Sequence, residues 1–112
     1  MIKVAVSTTG KILALRVEGH AGYAKVGEDI VCASASILAF TLAQCVAEAE
    51  HKYVDVGLAS GDAFICCEPT DKELPRMQNA FAFAKTGYAL LAHEYPQCVE
   101  ITDAEDLCVF NI

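Results

Sequence analysis

Cys32 and His20 are the two residues of this 112-residue chain whose types and spacing best suit nucleophilic catalysis. The thiolate is the attacking species, yet an ordinary cysteine has a pKa of about 8.5 and is mostly protonated at neutral pH. A helix N-terminus or a neighbouring imidazolium stabilises a thiolate, and a histidine can carry the thiol proton to a leaving group. The pair therefore indicates acyl transfer, provided that the fold brings the histidine to the start of a helix that carries the cysteine.

The segment that holds this pair reads as a loop followed by a helix. Residues 19–29 are polar and contain three glycines, which favours a loop. Residues 30–50 contain no Gly or Pro and many Ala and Leu, which predicts a helix with Asp29 as its N-cap. Cys32 would lie in the first turn, where unpaired amides could also donate to an oxyanion. Either Asp29 or Ser36 could orient the histidine or order the loop, and the sequence does not decide between them.

Two strand hairpins flank the predicted helix. Apolar residues alternate with polar or small ones over residues 2–6 and 13–17, on either side of turn-forming residues. Residues 53–58 and 63–67 flank the turn-forming stretch Ser60-Gly61-Asp62, which indicates a second hairpin. We therefore expect one hairpin before the helix and one after it.

A second helix is predicted by apolar residues that recur three or four positions apart: Met77, Phe81, Ala84, Tyr88, Leu91 and Tyr95. Pro75 fits only its first turn and Pro96 ends it. Residues 99–101 and 107–110 then read as short terminal strands.

The predicted order is thus β-β-α-β-β-α-β, with residues 107–110 as a further strand. Hairpins separated by helices favour an α+β two-layer sandwich, in which a mostly antiparallel sheet packs with two helices. A chain of 112 residues matches one domain over residues 1–112.

Composition excludes several classes of function. A formal net charge of -7 with only 8 Lys and Arg opposes direct nucleic-acid binding. Residues 30–46 contain too many polar groups to be expected to span a bilayer, and no secretory signal precedes them, so we expect a cytoplasmic protein. The six cysteines are expected to be free thiols, because the chain is large enough to form a core without disulfides. The sequence contains no CxxC motif and no two histidines three to five residues apart, so we expect no metal site. Gly19, Gly22 and Gly27 lack the spacing of a dinucleotide loop, and no cofactor is expected.

Two stretches of the chain carry a family resemblance. The first contains the candidate pair and reads Gly19-His20-Ala21-Gly22-Tyr23, then Gly27, then Asp29-Ile30-Val31-Cys32-Ala33-Ser34-Ala35-Ser36. The second closes the late helix as Leu91-Ala92-His93-Glu94-Tyr95-Pro96. Together with the length and the element order, they resemble the signature of the ribosomal-processing cysteine proteases. Ser34, where a small apolar residue is more usual, and the many cysteines depart from that pattern.

The resemblance implies a peptidase that removes a short N-terminal extension from a large-subunit ribosomal protein, number twenty-seven, in support of ribosome assembly. The family's catalytic histidine and cysteine fall on His20 and Cys32. Its aspartate and serine fall on Asp29 and Ser36, where we expect supporting roles. Its glycine before the histidine falls on Gly19, where we expect a role in loop movement.

The resemblance further implies a homodimer with a mobile loop over the site. Because family substrates present aromatic and small residues around the scissile bond, we expect an apolar groove. Residues 21–28 should help to form it, with Tyr23 as a substrate contact.

Two other functions remain compatible with these residues. In one, the chain is a non-catalytic, ribosome-associated module that holds a peptide in the same groove, with Cys32 buried and inert. In the other it is a thiol redox sensor, although no resolving cysteine lies within the motif. Alkylation at pH about 6 separates enzyme from inert module, because an ordinary thiol is almost wholly protonated there.

Overall fold

The structure, a computed structural model, describes residues 1–25 and 28–103. Its elements are β1 (Ile2–Ser7), β2 (Leu13–Glu18), α1 (Ile30–Ala47), β3 (His51–Ala59), β4 (Asp62–Pro69), α2 (Leu74–Glu94) and β5 (Val99–Asp103). This order confirms the predicted β-β-α-β-β-α-β arrangement. Gly27, Cys108 and the strand predicted over residues 107–110 lie outside the described residues.

The five strands form one mixed sheet in the order β3-β4-β2-β1-β5. Strands β1 and β5 pair in parallel, and the other three neighbouring pairs are antiparallel. The pairing of β2 with β4 joins the two predicted hairpins, with Val17 opposite Ala63 and Glu18 opposite Asp62. The end of β2, where the loop to α1 begins, therefore lies beside the turn between β3 and β4.

Both helices pack on the same face of the sheet and enclose one hydrophobic core. Four of the residues predicted to share a face of α2 are fully buried: Met77, Phe81, Ala84 and Tyr88. The Tyr88 hydroxyl donates to the carbonyl oxygen of Ala35 on α1 at 2.8 Å, and burial raises the pKa of Tyr88. This bond ties α2 to the helical turn that follows Cys32.

Helix α1 differs in two respects from its sequence-based expectation. It ends at Ala47 rather than near residue 50, because the chain must reverse before β3 begins to pair with β4 at His51. By length and composition alone, α1 could also cross a membrane, so the argument that it is too polar is wrong. In this fold five of its residues are instead buried against the core: Val31, Ala35, Ala39, Leu42 and Val46.

The described cysteines are not all in the same chemical state. Cys32, Cys45, Cys67 and Cys98 are free thiols, as expected. The expectation is wrong for Cys66, which is disulfide-bonded and packs with Ala14 on the face away from the helices. Cys67 points into the core, where burial raises the pKa of its thiol to about 12. Cys67 is therefore expected to be chemically inert in the folded protein.

Candidate active site

The buried carboxylate of Asp29 organises the start of α1 and the loop before it. Its Oδ1 accepts hydrogen bonds from the amides of Val31 and Cys32, each at 3.0 Å, so the predicted N-cap is confirmed. Its Oδ2 accepts from the amides of Tyr23 at 3.0 Å and Ala24 at 3.3 Å. The bond from the Cys32 amide is the largest cause that holds the pKa of Asp29 below its ordinary value of 3.8, and burial opposes the shift. One side chain therefore fixes both the helix and the loop.

Cys32 lies in the first turn of α1 with its thiol partly buried. Its Sγ accepts a hydrogen bond from the backbone N–H of Ala21 at 3.2 Å. The methyl group of Ala21 is buried in the core, which holds that amide in place. The sulfur therefore lies between a loop amide that donates to it and the first turn of α1.

The expectation that first-turn amides would serve an oxyanion is wrong for two of them. The amides of Val31 and Cys32 already donate to Asp29, so neither is free to bind a substrate oxygen. The Ala21 amide is the loop donor that lies next to the sulfur. Sequence reasoning missed this amide, because a backbone donor from an alanine leaves no signal in the residue type.

His20 is exposed at the start of the loop that follows β2. Its carbonyl oxygen accepts from the amino group of Met1 at 2.6 Å, and its ring lies against Gly61 in the turn between β3 and β4. His20 and Cys32 line the same groove. Within the described ranges, no hydrogen bond joins the imidazole to the Cys32 sulfur, which instead pairs with Ala21. The fold thus brings the candidate pair to one cavity without joining its members.

The groove has a volume of about 850 Å³ and lies between the loop, the first half of α1 and the β3–β4 turn. Much of its wall is apolar, with Phe40 on α1 and Leu58 on β3 among the larger side chains. Lys25, Asp29 and Asp62 supply charged groups. Its size falls within the range of about 300 to 1,000 Å³ that is typical of ligand pockets, and its lining suits apolar side chains of a peptide.

Ser36 and Gly19 both line the groove. Ser36 is exposed one helical turn after Cys32, and in the described part of the chain its hydroxyl has no hydrogen bond to His20. Gly19 has a φ of +94°, and a Cβ there would overlap the carbonyl oxygen of Met1. Close approach of two backbones is therefore a sufficient reason for glycine at position 19, whether or not the loop moves.

Tyr23 is placed beside the groove rather than in its wall. Its ring packs edge-to-face on Tyr95 at the end of α2, with ring centroids 5.4 Å apart and planes at 79°. The residues that line the groove include its neighbours Gly22 and Ala24 but not Tyr23. A substrate contact at Tyr23 remains a prediction that this geometry does not support.

No group of three or more His, Cys, Asp or Glu that could hold a metal ion occurs among residues 1–25 and 28–103. The chemistry that the described residues offer is that of a thiol at a helix start with an imidazole in the same groove. Such an arrangement is suited to covalent acyl transfer.

Replacing Asp29 with asparagine is expected to lower the melting temperature by several degrees at pH 7, because an amide nitrogen cannot accept from the two loop amides. The folded pKa of Asp29 lies below that of the unfolded chain, so its carboxylate stabilises the fold above the unfolded value. That contribution disappears as the pH falls through the folded pKa. The difference between Asp29→Asn and the native protein should therefore be full at neutral pH and shrink below about pH 4.

Thermal unfolding followed by circular dichroism between pH 3 and 7 measures this difference. Asp55→Asn, which alters an exposed carboxylate on β3, is the matched control and should leave the melting temperature nearly unchanged. A destabilisation by Asp29→Asn that stays constant across the pH range would contradict the assigned role.

Comparisons with known proteins agree with this geometry. The family model described as Cysteine protease Prp matches residues 1–100. The ribosomal processing protease Prp of Staphylococcus aureus, with a covalently linked product peptide, has a TM-score of 0.74 and 21% identity, over 92% of this chain and 99% of that one. The same protease with a substrate peptide has a TM-score of 0.69 and 20% identity, over 92% of this chain and 99% of that one. SMU.848 from Streptococcus mutans has a TM-score of 0.66 and 25% identity, over 93% of this chain and 94% of that one. No curated protein gives a significant sequence match. The structural matches show that the fold is shared.

Proposed function

Because the chain belongs to the family of the cysteine protease Prp, we propose that it is a thiol endopeptidase with Cys32 as nucleophile and His20 as base. The single observation that carries the proposal is the setting of the Cys32 sulfur. It lies at the start of α1, accepts from the Ala21 amide, and faces a groove that His20 also lines. Each of these features stabilises a thiolate or supplies the proton acceptor that a peptidase needs.

In the proposed reaction, His20 removes the thiol proton and the Cys32 sulfur attacks the peptide carbonyl carbon. A C–S bond forms and the carbonyl becomes an oxyanion. Because formation of that bond removes the charge from the sulfur, the Ala21 amide is released from it and can donate to the oxyanion instead. The C–N bond then breaks as the imidazolium returns its proton to the leaving amine. Water, activated by the same imidazole, hydrolyses the thioester and restores the thiol.

The position of His20 makes this mechanism conditional on substrate. The ring lies against Gly61 and, in the part of the chain that the structure describes, makes no hydrogen bond to the Cys32 sulfur, although proton transfer needs the two groups within about 3 to 4 Å of each other. We propose that a bound peptide completes the pair by drawing the imidazole toward Cys32. Catalytic contacts that are long in a free enzyme commonly shorten in its complex with substrate.

The proposed substrate is the N-terminal extension of the large-subunit ribosomal protein number twenty-seven. The Staphylococcus aureus relative is a ribosomal processing protease with a substrate peptide. An apolar groove with Phe40 and Leu58 suits a peptide with aromatic and small residues at the scissile bond. A net charge of -7 also attracts a basic ribosomal protein.

Mass spectrometry of a synthetic peptide tests this substrate. The peptide should carry the extension and first residues of that ribosomal protein from the same organism, and we expect one defined cleavage between them. A scrambled peptide of equal composition is the control. An intact extension peptide after prolonged incubation with active protein would contradict the proposal.

We also propose a single domain over residues 1–112 that acts as a cytoplasmic homodimer, without a cofactor and without binding nucleic acid or membrane. Exposed apolar side chains on α1 and β3 outside the groove support self-association: Ile37, Val54 and Val56 are between 41% and 61% exposed. Sedimentation velocity at micromolar concentration measures the oligomeric state. A species of 12.0 kDa alone would contradict the dimer.

A non-catalytic peptide-binding module is the alternative function. The observation in its favour is the missing hydrogen bond between the His20 ring and Cys32 among the described residues. It predicts that Cys32 reacts no faster than an ordinary thiol, whereas the enzyme requires a reactive one.

A further inference from the structure

The turn between β3 and β4 lies directly against the imidazole of His20. It consists of Ser60 and Gly61, and Gly61 has a φ of +75°. A Cβ at residue 61 would lie 2.7 Å from Nε2 and 3.1 Å from Cε1 of the His20 ring. The first distance is shorter than real Cβ contacts, and the second is tighter than most of them. The exposed His20 ring would therefore have to move if residue 61 carried a side chain.

The backbone of the same glycine holds the residue that precedes the histidine. The carbonyl oxygen of Gly61 accepts a hydrogen bond from the amide of Gly19 at 2.8 Å. This contact continues the pairing of β2 with β4 beyond Glu18 and Asp62. Gly61 thus contacts both the backbone of Gly19, where the loop to α1 begins, and the His20 ring.

The turn itself is anchored to the body of the sheet. Nη2 of Arg16 on β2 donates to both carboxylate oxygens of Asp62, the residue after Gly61, at 3.2 Å each. The Arg16 guanidinium also lies over the ring of Phe64 on β4, 5.5 Å from its centroid. Gly61, which contacts the imidazole, therefore belongs to the paired end of two strands and not to the loop that carries His20.

We propose that Gly61 is a positioning residue for His20, outside the segment 19–36 that carries the candidate motif. Because it has no side chain, it leaves room for the imidazole at the edge of the groove, within reach of Cys32 when substrate binds. The inference rests on the proposed peptidase function. Because misplacing a catalytic group by about 1 Å can cost about 10²-fold in rate, a side chain at residue 61 should impair turnover without touching the thiol.

Gly61→Ala tests the proposal with Gly10→Ala as a matched control. Gly10, in the turn between β1 and β2, has a nearly equal φ of +79°, but a Cβ there would meet nothing within 4 Å. Both variants impose the same backbone strain and should lower the melting temperature by similar amounts. Only Gly61→Ala adds a contact with the ring. We expect kcat to fall about 10²-fold in Gly61→Ala and to stay within about twofold of the native value in Gly10→Ala.

Gly61→Asn keeps the experiment informative if Gly61→Ala folds poorly. Asparagine tolerates positive φ better than other residues but still carries a Cβ. A folded Gly61→Asn protein should show the same loss of kcat, with its His20 imidazole resonances shifted in NMR spectra. The inference would be overturned if a folded Gly61→Ala or Gly61→Asn protein had the same kcat as the Gly10→Ala control.

A double-mutant cycle with His20→Ala shows whether Gly61 acts through the histidine. If it does, Gly61→Ala should produce little further loss in the His20→Ala background. A further loss of about 10²-fold in that background would overturn the positioning role. Native turnover in His20→Ala alone would instead contradict the proposed function, so the two failures are distinguishable.

Discussion

Replacing Cys32 with alanine is expected to abolish cleavage of the extended ribosomal peptide, with kcat/KM lower by at least about 10⁴-fold. The reason is that Cys32 is the thiol among the described residues that line the groove, where Ser36 and Ser60 offer only hydroxyls. Cys67 is sealed in the core with its pKa raised to about 12, and Ser36 is a hydroxyl without a hydrogen-bonded base among the described residues. Peptide turnover followed by mass spectrometry measures the loss.

The matched control is Cys45→Ala, which removes another partly buried free thiol from the same helix. Cys45 lies more than three turns after Cys32, and we expect native turnover in its absence. The Cys32→Ala protein should keep the fold, because the Asp29 cap uses the backbone amide of residue 32 rather than its side chain. Undiminished cleavage by Cys32→Ala would show that Cys32 is not the nucleophile.

Replacing His20 with alanine is expected to lower kcat by about 10² to 10⁴-fold, which is the range of a lost general acid and base. The reactivity of Cys32 toward alkylating agents should change far less, because the helix start and the Ala21 amide stabilise the sulfur without the imidazole. The two readouts therefore separate a base that moves protons from a group that holds the thiol.

His93→Ala serves as the control for this change, since His93 is exposed near the end of α2 and does not line the groove. Turnover should be unchanged by that substitution. The fold should tolerate His20→Ala, because the bond from Met1 reaches the His20 backbone carbonyl. A His20→Ala protein with native kcat would exclude His20 as the base.

Most of the fold could be predicted from local sequence, for physical reasons. The alternation along β1 and the spacing from Met77 to Tyr88 report directly which side chains are buried, whereas the apolar residues of β3 are exposed. Turn residues then mark where each strand ends. What remained unpredictable was the pairing of β2 with β4, since it joins residues 44 to 54 positions apart, from Glu18 with Asp62 to Leu13 with Cys67. Nothing in local periodicity encodes such a contact.

The candidate site was predicted less completely than the fold. The N-cap at Asp29 follows from its residue type before an apolar helix, and it places Cys32 in the first turn. The bonds from its second oxygen to Tyr23 and Ala24 could not be foreseen, because they depend on how the loop folds back. Those bonds make Asp29 an anchor of the loop as well as a cap.

The amide that contacts the sulfur and the glycine under the imidazole were both missed. Ala21 acts through its backbone, and Gly61 acts by lacking a side chain, so neither carries a chemical group that sequence reading can single out. Gly61 also lies forty-one positions from His20 and becomes its neighbour only through the sheet. The proposed function of this groove thus depends in part on two residues whose types carry no catalytic signal.

Site-resolved alkylation by iodoacetamide at pH about 6 tests the central claim, that Cys32 is a reactive thiol primed by its position. We predict that Cys32 is modified at least about tenfold faster than Cys45, its partly buried counterpart on the same helix, while Cys67 stays unmodified in the folded protein. Peptide mapping by mass spectrometry reports each site separately. If Cys32 reacts no faster than Cys45, the thiol is inert and the peptidase account is contradicted.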